Sequence, residues 1–213
     1  MSSTEPPPPF VPAVRAQILA TEHWSLLGTR GTMWAEVMSR ITIHLTVVSA
    51  SLVVLALVAQ ASGFGTPFTV LSIGLASAAL ILGTLTGVRV MNASHDDSAL
   101  ILGMNRIRAA YVAIDPGVAD YLVTSSAGGL AGLMGTYTMG LKRSTLSHVL
   151  GSTSMFVNVV NALVAGTLGA LVTEATGAST AVVAVVGVLC GVLYLGAWLE
   201  YGRRTFSDRT LEI

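Results

Sequence analysis

Residues 41–88 read "ITIHLTVVSASLVVLALVAQASGFGTPFTVLSIGLASAALILGTLTGV", 48 positions without a single Asp, Glu, Lys or Arg. A buried helix of a soluble domain seldom needs more than about 10–14 such residues, whereas a bilayer span needs about 20. The run is therefore long enough for two spans, and "GFGTPF" (63–68) interrupts it near the middle. Gly63, Gly65 and Pro67 break a helix there, which predicts spans over roughly 41–62 and 67–88. Two further uncharged runs follow, 30 residues over 144–173 and 25 over 175–199. They predict spans over 149–172 and 178–199, separated by "TEATGAST" (173–180).

The composition agrees. Of 213 residues 53% are hydrophobic and 10% charged, where soluble domains carry about 25% charged residues, and the mean hydropathy is +0.73. The fold class expected is an all-α integral membrane protein. It has four transmembrane helices, an N-terminal interfacial helix and a helical cytoplasmic loop.

The basic residues give that bundle a direction. Arg15, Arg30 and Arg40 precede the first span; Arg89, Arg106, Arg108, Lys142 and Arg143 lie between the second and third. Arg203, Arg204 and Arg209 follow the fourth, and the turns at 63–66 and 173–177 carry none. All 11 positive charges thus share one side, which the positive-inside rule makes cytoplasmic, with both termini there. The near-exclusive use of Arg over Lys, with abundant Ala, Gly, Val and Thr, points to a GC-rich bacterial genome and hence to the plasma (inner) membrane. "MSSTEPPPPFVPAVR" has no basic n-region followed by an apolar h-region, so a cleaved signal peptide is not expected. The division expected is a proline-rich tail (1–12), an interfacial amphipathic helix (13–35) and a first hairpin (36–92). A cytoplasmic loop (93–148), a second hairpin (149–202) and a tail (203–213) complete it.

In the loop, Leu100, Met104, Ile107, Tyr111 and Ile114 recur at helical spacing, with Asp96 and Asp97 placed for the first turn of that helix. "DPG" (115–117) ends it, "VADYLVTSS" allows a short second helix, and "AGGLAGLMGTYTMGL" (127–141) reads as a glycine-rich connector. The alternative for that last stretch is a re-entrant segment.

Candidate chemistry is sparse. "ATEHWSLLGTRGTMW" (20–34) concentrates Glu22, His23, Trp24, Arg30 and Trp34 ahead of the first span. Trp24, Arg30 and Trp34 suit the headgroup zone, as do Trp198, Arg203 and Arg204 after the fourth span. Glu200 is placed to pair with Arg203 or Arg204. Glu22, His23, His95, Asp96 and Asp97 have ligand chemistry for a divalent metal, but no HExxH-type spacing, and no cofactor is expected. Within the spans, His44 lies one turn beyond Arg40, and Ser154, Asn158 and Asn161 share one face of the third span. Polar groups at such depth avoid lipid and are candidates for a pathway or for interhelical hydrogen bonds. Ala165/Gly169 and Gly187/Gly191 permit close helix contact or oligomerisation, and lone Cys190 reads as a small packing residue.

No nucleotide-binding loop, nucleophile elbow, CxxC or potassium-filter motif occurs, and the zero formal net charge argues against nucleic acid as a partner. The function expected is that of a homo-oligomeric channel or pore for small ions, not an enzyme. His44, Ser154, Asn158 and Asn161 would line it. The alternative is a non-catalytic scaffold or accessory subunit of a larger membrane complex, docking through 93–148. A metal-dependent membrane enzyme ranks third. The first two part on the asparagines: facing a symmetry axis across water they favour the channel, and buried within one subunit they favour the scaffold.

Overall fold

A computed structural model describes residues 12–141 and 144–209, and every regular element among them is helical. The elements are α1 (Pro12–Ser62), α2 (Thr66–Ile114), a 3₁₀ turn (Pro116–Tyr121), α3 (Gly129–Thr138), α4 (Thr145–Leu150), α5 (Thr153–Ala175) and α6 (Thr180–Arg209). α1, α2, α5 and α6 each contain a stretch long and apolar enough to cross a membrane. Residues 1–11 of the proline-rich tail, Lys142, Arg143 and residues 210–213 lie outside the described residues.

Both short turns form where glycine allows them. Gly63 adopts φ +69°, and its N–H reaches back to the Ala59 carbonyl at 3.0 Å. Gly177 adopts φ +77° and its N–H bonds to the Glu174 carbonyl at 2.9 Å. Each glycine thus closes a helix C-terminus in a backbone conformation that a side chain disfavours. At the other end of the second hairpin, the Ser152 hydroxyl accepts the Met155 N–H at 3.1 Å and caps α5.

The helices run further than the apolar pattern predicts. α1 is unbroken from Pro12 through the first span, so 13–35 and 41–62 are one hydrogen-bonded helix. α2 likewise continues past the second span to Ile114. Asp96 and Asp97 therefore sit in mid-helix, not in a first turn. The reason is local: residues 89–114 hold no proline and one glycine, Gly103, so nothing stops the helix until Asp115–Pro116–Gly117. There Asp115 Oδ1 accepts the Gly117 N–H at 2.9 Å and starts the 3₁₀ turn. The glycine-rich stretch 127–141 is not a loose connector: most of it is α3, ended by Met139 and Gly140 at positive φ. Gly132 shows why small residues are needed, since a Cβ there would collide with the Ala127 carbonyl.

The chain divides into two compact units. The described parts of Met1–Met33 and His95–Lys142 form the first, with Ile101, Met104 and Ile107 at its core. The described parts of Trp34–Ser94 and Arg143–Ile213 form the second, centred on Val37, Ile41, Val90, Val157 and Ala162. In that second unit Leu52, Leu57, Leu163 and Leu193 are exposed, as expected of helices whose solvent is lipid.

The second hairpin is closed by small residues. A Cβ on Gly166 would lie 2.8 Å from the Gly187 carbonyl oxygen, and one on Gly191 would lie 2.9 Å from that of Ala162. A Cβ on Gly169 would lie 2.6 Å from Cys190 Sγ. The small-residue pairs read from the sequence are thus used inside the chain, to bring α5 against α6, and Cys190 fills a gap in that contact.

Candidate functional site

Each unit gathers its polar side chains in its own way. In the second unit, His44 on α1 and Asn161 on α5 lie against each other over Gly83 of α2. A Cβ on Gly83 would collide with Asn161 Oδ1 and come within 2.6 Å of His44 Cε1. One turn along α2, a Cβ on Gly87 would lie 3.2 Å from Asn158 Oδ1 and 3.4 Å from the Trp198 ring. Two glycines four residues apart thus make the floor on which an imidazole and two amides rest.

These groups are deeply buried: His44 is 1% exposed, Asn158 4% and Asn161 0%. The Asn158 amide nitrogen donates to the Ser154 carbonyl at 2.9 Å. Asn158 Oδ1, both polar atoms of Asn161 and both ring nitrogens of His44 have no partner in hydrogen-bond geometry. Nearby, the Thr84 and Tyr194 hydroxyls share a hydrogen bond of 2.9 Å between α2 and α6.

Charge gathers just before the first span. Glu36 accepts from Arg40 Nε at 2.8 Å and from Arg89 Nη2 at 2.6 Å, tying α1 to α2. The hydrogen bonds from Arg89 and Arg40 hold the pKa of its carboxyl at about 2.

In the first unit, the organising group is Asp97, 1% exposed. Arg30 Nε donates to its Oδ1 at 2.6 Å, Nη2 approaches Oδ2 at 3.4 Å, and the Tyr137 hydroxyl donates to Oδ2 at 2.7 Å. The bond to Asp97 raises the pKa of Arg30 above its ordinary value. Burial, helped by the Asp97 carboxylate, pushes the Tyr137 phenol up to about 12. Asn105, fully buried, ties the same unit together. Its Nδ2 donates to the Ala127 carbonyl at 3.0 Å, and its Oδ1 accepts from Arg108 Nη1 at 2.8 Å and from the Thr136 hydroxyl at 2.9 Å. Beside these contacts an open cleft of about 670 Å³ is lined by Leu26, Met33, Leu100 and Ile107, with Glu22, Asp96 and Arg106 also in its wall.

The residues singled out in the sequence therefore separate. Of the five metal candidates, Asp97 is engaged by Arg30 and Tyr137, and Glu22 and Asp96 line the cleft. His23 stacks on Tyr111, with ring centroids 6.3 Å apart and planes 9° from parallel. Burial, then the nearby Arg108, lowers its pKa. His95 is half-buried. Among the described residues, no three His, Cys, Asp or Glu side chains come together to hold a metal ion. Arg30, read as a headgroup contact, is also the ion-pair partner of the buried Asp97 carboxylate on α2.

Trp24 is exposed and Trp34 half-buried. Trp198 packs edge-to-face with Tyr201 at 5.6 Å, and Arg203 and Arg204 both bond to Glu200. The structure does bring His44, Asn158 and Asn161 together, with Ser154 at their edge. Comparison of the chain with protein-family models, curated proteins and solved structures found no match.

Tyr137, Asn105 and the Gly83/Gly87 pair escaped the sequence reading. The glycine pair carries the same small-xxx-small spacing that singled out Gly187/Gly191 and was open to the same reasoning. Tyr137 and Asn105 gave no such signal, since their importance comes from partners 40 and 22 residues away.

Proposed function

We propose that the protein is a non-catalytic membrane scaffold or accessory subunit, anchored by four spans in a bacterial plasma membrane with both termini cytoplasmic. Its first helical unit would be the docking element. One observation carries this reading. Asn158 and Asn161 are closed in among helices of their own chain, over Gly83 and Gly87, and are 4% and 0% exposed. That burial supports the scaffold over a pore lined by rings of amides from several subunits.

The cleft beside α1 and α2 supports the same reading. Its apolar floor with mixed charge in the wall suits a partner's helix better than a small polar solute. Purification of the tagged protein from its native membrane in mild detergent tests the proposal. A second protein at fixed stoichiometry, lost when Leu26→Glu and Leu100→Glu charge the cleft, is the expected result. Isolation as a pure homo-oligomer under all conditions overturns it.

A second reading, the small-ion channel, is favoured by the unsatisfied polar atoms of His44, Asn158 and Asn161 within the spans. Ion flux into liposomes containing the purified protein separates the two. Absence of conductance at every pH and voltage, with the assembly intact, removes the channel.

A further inference from the structure

We propose that His44, Asn158 and Asn161 hold ordered water inside the membrane-spanning unit. Docking through the first unit does not use this site, so finding the cluster dry would overturn this proposal and leave the docking reading in place.

Donors and acceptors at the cluster do not balance. A neutral imidazole offers one donor and one acceptor, and a primary amide offers two donors and two acceptor lone pairs. Neither ring nitrogen of His44, neither polar atom of Asn161 and not the Asn158 carbonyl oxygen has a partner in hydrogen-bond geometry, and all are shut off from solvent. Buried polar groups of native proteins are almost always paired, with protein or with ordered water. Contact between His44 and Asn161 can satisfy one donor and one acceptor at most. The second Asn161 N–H, the other ring nitrogen and Asn158 Oδ1 would still need partners.

The chemistry selects the guest. The unfilled groups include both donors and acceptors, which a metal cation or an anion, offering one sign only, cannot meet. The cluster has no carboxylate to balance a cation. Water supplies two donors and two acceptors and typically makes about three bonds when buried. Gly83 and Gly87 let these side chains lie directly against the α2 backbone: a methyl group at the first would strike Asn161 Oδ1 and His44, and one at the second would press on Asn158 Oδ1. The cluster also lies close to the charged rim. His44 is one helical turn, about 6 Å along the axis, from Arg40, and Gly87 is two residues from Arg89. Those arginines meet at Glu36 on the charged rim.

The test is water-edited solid-state NMR on the full chain in lipid bilayers, labelled with ¹³C and ¹⁵N. Magnetisation from water is expected to reach the His44 ring and the Asn161 side-chain amide as well as exposed Glu36, while Ala79 and Val157 in the apolar core stay dark. In Asn161→Leu the transfer to His44 is expected to be lost, with the Ala79 and Val157 backbone shifts unchanged to show that the fold survives. Should that variant fail to fold, Gly83→Ala, whose methyl group would push the Asn161 amide and the His44 ring off α2, is expected to remove the same transfer. Wild-type protein that passes water magnetisation to Glu36 and none to His44 or Asn161 overturns the proposal. So does a transfer to His44 that persists undiminished in a folded Asn161→Leu or Gly83→Ala variant.

Discussion

Substituting Gly166 by Ala should weaken the α5–α6 contact by a magnitude that the geometry allows to be worked out. The added Cβ meets the Gly187 carbonyl oxygen at 2.8 Å, with Gly191 Cα at 3.7 Å. That oxygen belongs to a helix backbone, so it cannot swing aside as a flexible side chain would, and the helices must separate by several tenths of an ångström. Overpacking of this kind costs about 1–3 kcal/mol. Alanine also gains about 1 kcal/mol over glycine in a helix interior, so the net change is close to 0–2 kcal/mol of destabilisation.

The control isolates the steric part. Gly196 lies in α6, and a methyl group added there would meet nothing within 4 Å, so Gly196→Ala gains the propensity benefit alone. The difference between the variants is then the overpacking cost, about 1–3 kcal/mol, or roughly tenfold in the unfolding equilibrium for each 1.4 kcal/mol. Reversible unfolding in mixed detergent micelles, or steric trapping in bicelles, measures it. Equal shifts for Gly166→Ala and Gly196→Ala would refute the close crossing of α5 and α6.

Other consequences follow from the first unit. Arg30→Ala leaves the Asp97 carboxylate, 1% exposed, without its cation. Breaking a buried pair costs about 3–5 kcal/mol, and the 37% exposure of the Arg30 side chain brings the expected loss to about 2–3 kcal/mol. Replacing both partners by leucine should recover most of that loss, and proteolysis of the first unit reads out both changes. Tyr137, raised to about 12 by burial, makes stability depend on alkaline pH. Between the unfolded phenol's value near 10 and the folded one, the unfolded chain has lost the proton that the native state keeps. The contribution is therefore whole below about 10 and falls away as pH rises toward 12. Unfolding followed across that range should show the decline in wild type and a smaller one in Tyr137→Phe.

Much of the fold was legible because two strong physical signals coincide. A bilayer demands about 20 uncharged residues per span, and glycine with proline marks where spans end, so four helices and both turns follow from 41–88, 144–173 and 175–199. Helix ends on the polar side were not legible. Without proline or clustered glycine, α1 and α2 extend well beyond the apolar runs, and apolar content says nothing about that. The glycine-rich 127–141 misled for a related reason. Glycine serves flexibility in one context and close packing in another, and only the Ala127 carbonyl against Gly132 reveals which applies.

The site was half legible. Polar residues within the spans drew attention to His44, Asn158 and Asn161, and the structure gathers them. The Asp97 hub was hidden by its neighbours: in "HDDS" it looked like a first-turn acid, and its partners lie 67 residues upstream and 40 downstream.

Four spans that put every basic residue on one side underlie both proposals, and single-cysteine labelling tests that arrangement most directly. In a Cys190→Ala background, Gly65→Cys and Gly177→Cys place thiols in the two short turns, and Asp96→Cys and Gly128→Cys place them in the first helical unit. Intact cells exposed to a membrane-impermeant maleimide should label the two turn positions. The other two should label only after permeabilisation. Labelling of Asp96→Cys or Gly128→Cys from outside, or protection of both turn positions until the membrane is opened, would contradict the four-span topology.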